Sequence, residues 1–386
     1  MSNFIDYIQK NYHCSFKELP LNEVDIACIN ELSYLPIGEA LSKTYNKQFI
    51  PIKQLNKKKH LFFKKTNYNF MTTKERVQLY EAIINSNRFD DLEIGYYVND
   101  INLAIEKQFS AMVFRLPSIN HTQIVFRGTD DSLIGWKEDA KMTYMKTIPS
   151  HQSALNYLTT FLNDWQGQVV ISGHSKGGNL ALYASSMIKE SLQKKITTIY
   201  TFDSPGHYKS LLDASSYPNI KHKIISIIPK ESIVGVMLKP DLDCKIVESK
   251  SFAFFQHNVS QWQVKENQFL PAKDTTLISK ALEDTFKLWQ KELSHDELET
   301  FFNIFFDLFF DIGVESLDDI KNNKRKTLTQ LVKEIVNLKP KEKKIMRKSL
   351  RTMFIIFNHK AIEKALDYRP EIGKEFLDWI FSDKEE

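Results

Sequence analysis

Cysteine is scarce in this chain of 386 residues: there are three, Cys14, Cys28 and Cys244, far apart in the sequence. An odd, dispersed set argues against a disulfide framework and against a zinc site. No apolar run reaches membrane-spanning length. The opening residues, Met1-Ser2-Asn3-Phe4-Ile5-Asp6, have neither the basic nor the apolar region of a secretion signal. These absences lead to the expectation of a cytoplasmic protein with free thiols. Glycine is also sparse, 12 in the whole chain, so a local cluster of glycines carries information.

The rest of the composition is that of a globular protein, 42% hydrophobic and 26% charged, with 27 phenylalanines. The length suits one large domain with additions, or two domains. A net charge of +4 conceals an uneven distribution. Lys321 to Arg351 holds twelve basic residues against Glu334 and Glu342, a net +10, so the remainder carries −6. A second basic cluster, Lys53, Lys57, Lys58, Lys59, Lys64 and Lys65, surrounds Leu61-Phe62-Phe63. Such stretches are solvated helix faces or contacts to an anionic membrane surface. No nucleic-acid motif accompanies the charge, so no nucleic acid is expected as a partner.

The glycine cluster is Gly173-His174-Ser175-Lys176-Gly177. It follows the apolar run Val169-Val170-Ile171 and precedes Gly178-Asn179-Leu180-Ala181, the order of strand, sharp turn and helix. In that setting G-x-S-x-G is a nucleophile elbow, a strained turn that lifts a serine hydroxyl above a sheet edge. Without that setting it is a glycine turn met by chance.

Around the elbow the hydrophobic periods change along the chain. Residues 1–90 read as mostly helical, with Asn22–Lys43 broken at Pro36-Ile37-Gly38 and a stronger helix over Thr72–Asn85. Strands follow at Ile94–Val98, Phe109–Leu116 and Gln123–Arg127, then a helix at Ser150–Trp165, the elbow pair, and strands at Ile196–Phe202 and Lys223–Ile228. Strands alternating with helices predict an α/β fold with a mostly parallel central sheet. The strand signal ends near residue 272. Beyond it Ser294-His295-Asp296-Glu297 forms a capping box before Leu298–Ile312, a helix with phenylalanine on nearly every side. The expected organisation is a unit over 1–272, with N-terminal helices over 1–90, and a helical C-terminal extension over 273–386.

A serine hydroxyl needs a histidine base, an acid to orient that base, and donors for the oxyanion. With the chain order Ser, acid, His, the base comes from His207, His222, His257, His295 or His359. His257, in the loop Phe255-Gln256-His257-Asn258 after the last convincing strand, occupies the position a base requires. For the acid, Asp203 ends the strand after the elbow helix, and Glu231 follows the next strand. The alternative role for Asp203 is capping its own turn. The amide of Lys176 supplies one oxyanion donor. The loop Phe126-Arg127-Gly128-Thr129-Asp130-Asp131 is expected to supply the other, at Thr129; its alternative role is a simple surface turn.

Phe126-Arg127-Gly128-Thr129 with Trp136 and Asp139, the elbow, and His257 with Trp262 resemble the class 3 (fungal-type) lipases. The wider set, adding Asp203–Gly206 and Ser232-Ile233-Val234-Gly235, resembles more closely a bacterial lipase-like family described as a domain of unknown function. That family reads F-R-G-T-D-D, G-W-K-E-D, G-H-S-K-G-G-N-L-A and D-x-P-G in the same order. The resemblance covers roughly Asn3–Phe269. It implies an α/β-hydrolase with Ser175 as nucleophile, His257 as base, and Thr129 and Lys176 as oxyanion donors. Class 3 lipases place their acid in a D-x-V-P segment after the later strand. Here the matching segment has Ser232 in that place, which favours Asp203 and keeps Glu231 as the alternative acid. The expectation is a serine esterase of lipase, lysophospholipase or carboxylesterase type, acting on an acyl ester or lipid, with no metal and no organic cofactor. The competing expectation is an inactive hydrolase fold that binds or scaffolds through its helical tail.

Overall fold

A computed structural model describes residues 2–36, 48–58, 73–207, 216–238 and 242–368. Among the described residues eight strands form one sheet whose spatial order is their chain order: β1 (Ile50–Pro51), β2 (Glu93–Asn102), β3 (Lys107–Leu116), β4 (His121–Phe126), β5 (Val169–His174), β6 (Ile196–Phe202), β7 (Ile224–Pro229) and β8 (Cys244–Val247). β1 to β4 pair antiparallel and β4 to β8 pair parallel. The predicted turn at Pro117–Asn120 is a tight one, closed by Asn120 in the left-handed region at φ 51. β2 runs further than its sequence pattern indicates, because a bulge at Tyr96 (φ 54) re-registers it against β3.

The side-chain period of two sorts β3 between two cores. Phe109, Ala111 and Val113 enter one, and Met112, Phe114 and Leu116 enter the other. The second core is closed by α1 (Phe4–Lys10), α2 (Glu23–Leu32) and α3 (Lys74–Asn85). After α4 (Leu133–Lys141), the first core is closed by the crossover helices α5 (Pro149–Asp164) and α6 (Lys176–Met187). Parallel strands laid side by side in chain order, with right-handed crossovers, send their helices to one face. The N-terminal helices are therefore the second layer of the fold. Their ends agree with the capping chemistry: Asn22 opens α2 with a capping box, and Thr73 accepts from the Arg76 amide at the start of α3. α2 stops at Leu32, a few residues before the expected break at Pro36-Ile37-Gly38; the part of Asn22–Lys43 beyond residue 36, and the Leu61-Phe62-Phe63 cluster, lie outside the described residues. The layer is pinned by a fully buried pair in which Arg88 donates to both oxygens of Asp25, at 2.9 and 2.6 Å.

After β8 a two-stranded ribbon, β9 (Val264–Lys265) and β10 (Gln268–Phe269), completes the sheet region. Neither β8 nor this ribbon was predicted. The chain continues as α7 (Leu277–Glu292), α8 (His295–Phe310), α9 (Leu317–Asn322), α10 (Lys324–Asn337) and α11 (Pro340–Tyr368). The phenylalanine-rich α8 opens with the expected Ser294 capping box. It packs centrally: Leu298 and Phe301 join Trp289, Leu293 and Tyr144 in a third core. This unit is tied to the chain just after the Thr129 loop, where Leu133 N donates to Glu315 O at 2.8 Å and Leu317 N to Asp131 O at 3.0 Å. Among the described residues no helix is long and apolar enough to cross a membrane. The eight-stranded, mostly parallel sheet between helical layers, with a serine at the turn from a central strand into its helix, is the α/β-hydrolase architecture.

Candidate active site

Ser175 sits between β5 and α6 with φ 58 and ψ −132, a backbone state that L-residues avoid. The strain is held by close backbone crossings that only glycine permits. A Cβ on Gly173 would lie 2.1 Å from the carbonyl carbon of Gly177, and one on Gly177 would lie 2.0 Å from the Phe126 oxygen. The second crossing brings β4, and so the Thr129 loop, against the elbow. A Cβ on Gly128 would lie 2.6 Å from His174 O and 3.2 Å from the Ser175 Cβ.

His257 and Asp203 meet although 54 residues separate them. His257 Nδ1 lies 2.6 Å from Asp203 Oδ2, and Asp203 is fully buried. That bond assigns the proton to Nδ1 and the lone pair to Nε2. Asp203 follows β6 with φ 40, another positive-φ turn. Its other oxygen, Oδ1, accepts from the Ser232 hydroxyl and from the Gly235 amide at 3.0 Å. Glu231 is engaged with the neighbour of the base: Gln256 Nε2 donates to Glu231 Oε2, and Glu231 N donates to Gln256 Oε1, both at 3.1 Å. The turn bearing His257 is also fixed by buried Trp262, whose Nε1 donates to Gln256 O at 2.8 Å.

Ser175 and His257 open into one cavity of about 220 Å³, with Thr129, Trp136 and Phe255 in its walls. Thr129 donates its hydroxyl to Asp139, and burial foremost pushes the Asp139 carboxyl up to about 6. The N-terminal layer supplies Tyr34, Thr73 and Arg76 to the same cavity, which residue patterns in that region did not indicate. The Tyr34 hydroxyl donates to His174 Nδ1 at 2.9 Å, and His174 Nε2–H donates to His257 O at 2.8 Å. Burial holds His174 neutral, its pKa far below the usual histidine range. Arg76 stacks on Tyr34, with its carbon 3.8 Å from the ring centroid, and donates from Nε to Glu31 at 2.9 Å.

The remaining histidines lie elsewhere. His207 stacks with His151 and Tyr183, and its Nε2 donates to Asn179 O at 3.2 Å. His222 caps a helical turn before β7, rather than starting the strand. His295 begins α8, and His359 lies on α11.

Three solved lipases have similar structures. The M37 lipase is 17% identical over 55% of this chain and 68% of its own, with a TM-score of 0.35. The Rhizomucor miehei lipase in its propeptide complex is 16% identical over 46% and 68%, with a TM-score of 0.34. The Lip2 lipase from Yarrowia lipolytica is 12% identical over 67% and 87%, with a TM-score of 0.33. No curated protein matches the sequence. Residues 83–307, more than half of the chain and including every residue of the candidate site from Thr129 to His257, match the Mbeg1-like family, and the chain belongs to that family.

Proposed function

We propose that this protein is a serine hydrolase that cleaves an acyl ester. Ser175 attacks the ester carbonyl while His257 Nε2 takes the hydroxyl proton. Asp203 holds the imidazole in the required tautomer and stabilises the imidazolium that forms. The developing oxyanion is met by the amides of Lys176 and Thr129. The imidazolium then protonates the departing alcohol, and water, activated by the same nitrogen, hydrolyses the acyl-enzyme. No metal or organic cofactor enters these steps. The observation that carries the reading is the buried Asp203–His257 pair opening into the same cavity as a serine on a strained elbow.

A lipid-like substrate is favoured by the surroundings of the cavity. Phe255, 63% exposed, pairs edge-on with Phe252, 71% exposed, with ring centroids 5.7 Å apart beside the base. The resemblance of Phe126–Thr129, Trp136, Asp139 and the elbow to the class 3 lipases points the same way. Peripheral contact with an anionic membrane is part of this reading, through the basic helices of the extension.

The test is turnover of p-nitrophenyl esters of increasing chain length and of a lysophospholipid by wild type and Ser175→Ala. Hydrolysis by wild type alone, rising with acyl length, is expected. Equal background rates for both proteins would favour a binding or scaffold role.

A further inference from the structure

Lys176 is an awkward residue where it stands. It is 1% exposed. It occupies the first position of α6, where the helix dipole disfavours a cation, and removing an ammonium from water is costly. An apolar side chain would fill the same space without either penalty. The side chain is instead held by three neighbours. Its Nζ donates to Gln108 O at 2.9 Å and Gln108 Oε1 at 2.8 Å on β3, and to Glu138 Oε2 at 3.1 Å on α4, and lies 3.5 Å from Asp139 Oδ1. Burial pulls the ammonium toward neutrality, but the Glu138 and Asp139 carboxylates outweigh it and keep it charged.

The two carboxylates do not depend on Lys176 equally. Glu138 also accepts from the Gln108 amide at 2.9 Å, the Ser150 amide at 2.8 Å and the Ser150 hydroxyl at 2.7 Å. Asp139 accepts from the Thr129 hydroxyl on one oxygen, and its other oxygen faces Lys176. Among the described residues, the charged groups acting on Asp139 are Lys176, which with the Thr129 hydrogen bond favours its ionised form, and Glu138, which opposes it.

We propose that the Lys176 side chain is a positioning residue for the oxyanion site. Its ammonium holds Asp139, and through it the Thr129 loop, against the elbow from which the Lys176 amide projects. One residue then contributes a donor through its backbone and sets the place of the other donor through its side chain. Without the ammonium, Asp139 is left beside Glu138 and binds a proton more readily. Its carboxyl then donates to Thr129 where it formerly accepted. This inference rests on the serine-hydrolase reading above.

Lys176→Met keeps the amide and most of the volume, so it separates the two roles. Its fluorophosphonate labelling rate and its p-nitrophenyl butyrate kinetics are compared with wild type, Asp139→Asn and the double variant between pH 5.5 and 9. Lys176→Met is expected to lower kcat about tenfold or more with KM within about twofold, the signature of displaced transition-state donors. In its pH profile the Asp139 ionisation, at about 6 in wild type, moves to higher pH, and Asp139→Asn abolishes it; the double variant is no slower than the slower single one. A Lys176→Met rate within twofold of wild type, an unchanged pH profile, or losses that multiply in the double variant would overturn the proposal. If circular dichroism shows Lys176→Met unfolded, Asp139→Asn decides alone: a tenfold fall in kcat at constant KM supports it and an unchanged rate overturns it. A reactive wild type with indifferent variants overturns the role of Lys176 only. A wild type that neither labels nor turns over the ester overturns the hydrolase reading with it.

Discussion

Ser232 donates its hydroxyl to Oδ1 of Asp203, the carboxylate whose Oδ2 receives His257. The two residues end adjacent parallel strands. In the pattern of the class 3 lipases the later position holds the acid; here it holds a serine that supports an acid one strand earlier. With the Gly235 amide, Ser232 gives Asp203 Oδ1 two donors and so orients Oδ2 toward the imidazole. Ser232→Ala is expected to lower kcat about ten- to a hundredfold, the scale of one hydrogen bond to a charged group. KM stays constant, as steady-state ester kinetics will show.

The two donors assigned to the oxyanion are separable at Thr129. Thr129→Val keeps the amide and removes the hydroxyl; Thr129→Pro removes the amide. Loss of one backbone donor is expected to lower kcat by about 10²–10³ in the proline variant, with a much smaller loss in the valine variant. Circular dichroism checks that both fold. Equal losses would place the donor at the hydroxyl.

Stability is expected to fall on acidification from about pH 6.5. Burial foremost pushes His121 and His151 down to about 4 and His207 to about 3. Each is neutral in both states above the unfolded value near 6.5, so its contribution is complete there. Between that value and the folded pKa the unfolded chain binds the proton and the folded chain does not, and stability is lost. At about 1.4 kcal/mol per unit, His121 and His151 each contribute up to about 3 kcal/mol across this window. Urea denaturation at pH 7, 6, 5 and 4.5 should show a falling midpoint, with a shallower fall in His121→Gln.

The membrane arm of the account has a specific surface. On α10, Leu328, Val332, Ile335 and Val336 are exposed at helical spacing, between 46% and 66%. Lys324, Arg325, Lys326 and Lys333 lie on the same helix, an amphipathic basic pattern that suits an anionic leaflet. Full-length protein is expected to float with vesicles containing phosphatidylglycerol and not with phosphatidylcholine alone. Leu328→Gln/Val332→Gln/Val336→Gln should abolish flotation, while Ser175→Ala should float as wild type does. Equal recovery with every vesicle would remove this arm.

The parts of the molecule that local chemistry dictates were legible from residues alone. Gly173 and Gly177 bracket Ser175 because the backbone crossings leave no room for a Cβ, and that requirement shows in the sequence. The β6 boundaries and the Ser294 capping box were legible for similar local reasons. For the candidate acid the sequence favours Asp203 over Glu231 but does not separate them, because both follow strands of the same kind. What separates them in space is the pairing of β6 with β7, which carries Ser232 to Asp203, and the turn bearing His257, which brings Gln256 to Glu231. β8 leaves no pattern in the sequence, since Cys244–Val247 is four residues long and carries only one fully buried side chain. Tyr34 and Arg76 enter the cavity only because the sheet's straight strand order assigns the N-terminal helices to its second face, a global property with no local signal.

The central claim is that Ser175 is activated by His257 and Asp203. The direct measurement is covalent labelling by a fluorophosphonate, with the modified residue located by mass spectrometry, in wild type, Ser175→Ala, His257→Ala, Asp203→Asn and Glu231→Gln. The account predicts modification of Ser175 in wild type, none in Ser175→Ala, a rate reduced by about 10⁴ in Asp203→Asn and by about 10⁶ in His257→Ala, and near wild-type labelling in Glu231→Gln. A folded wild type that stays unlabelled, or labelling lost in Glu231→Gln and kept in Asp203→Asn, would contradict it.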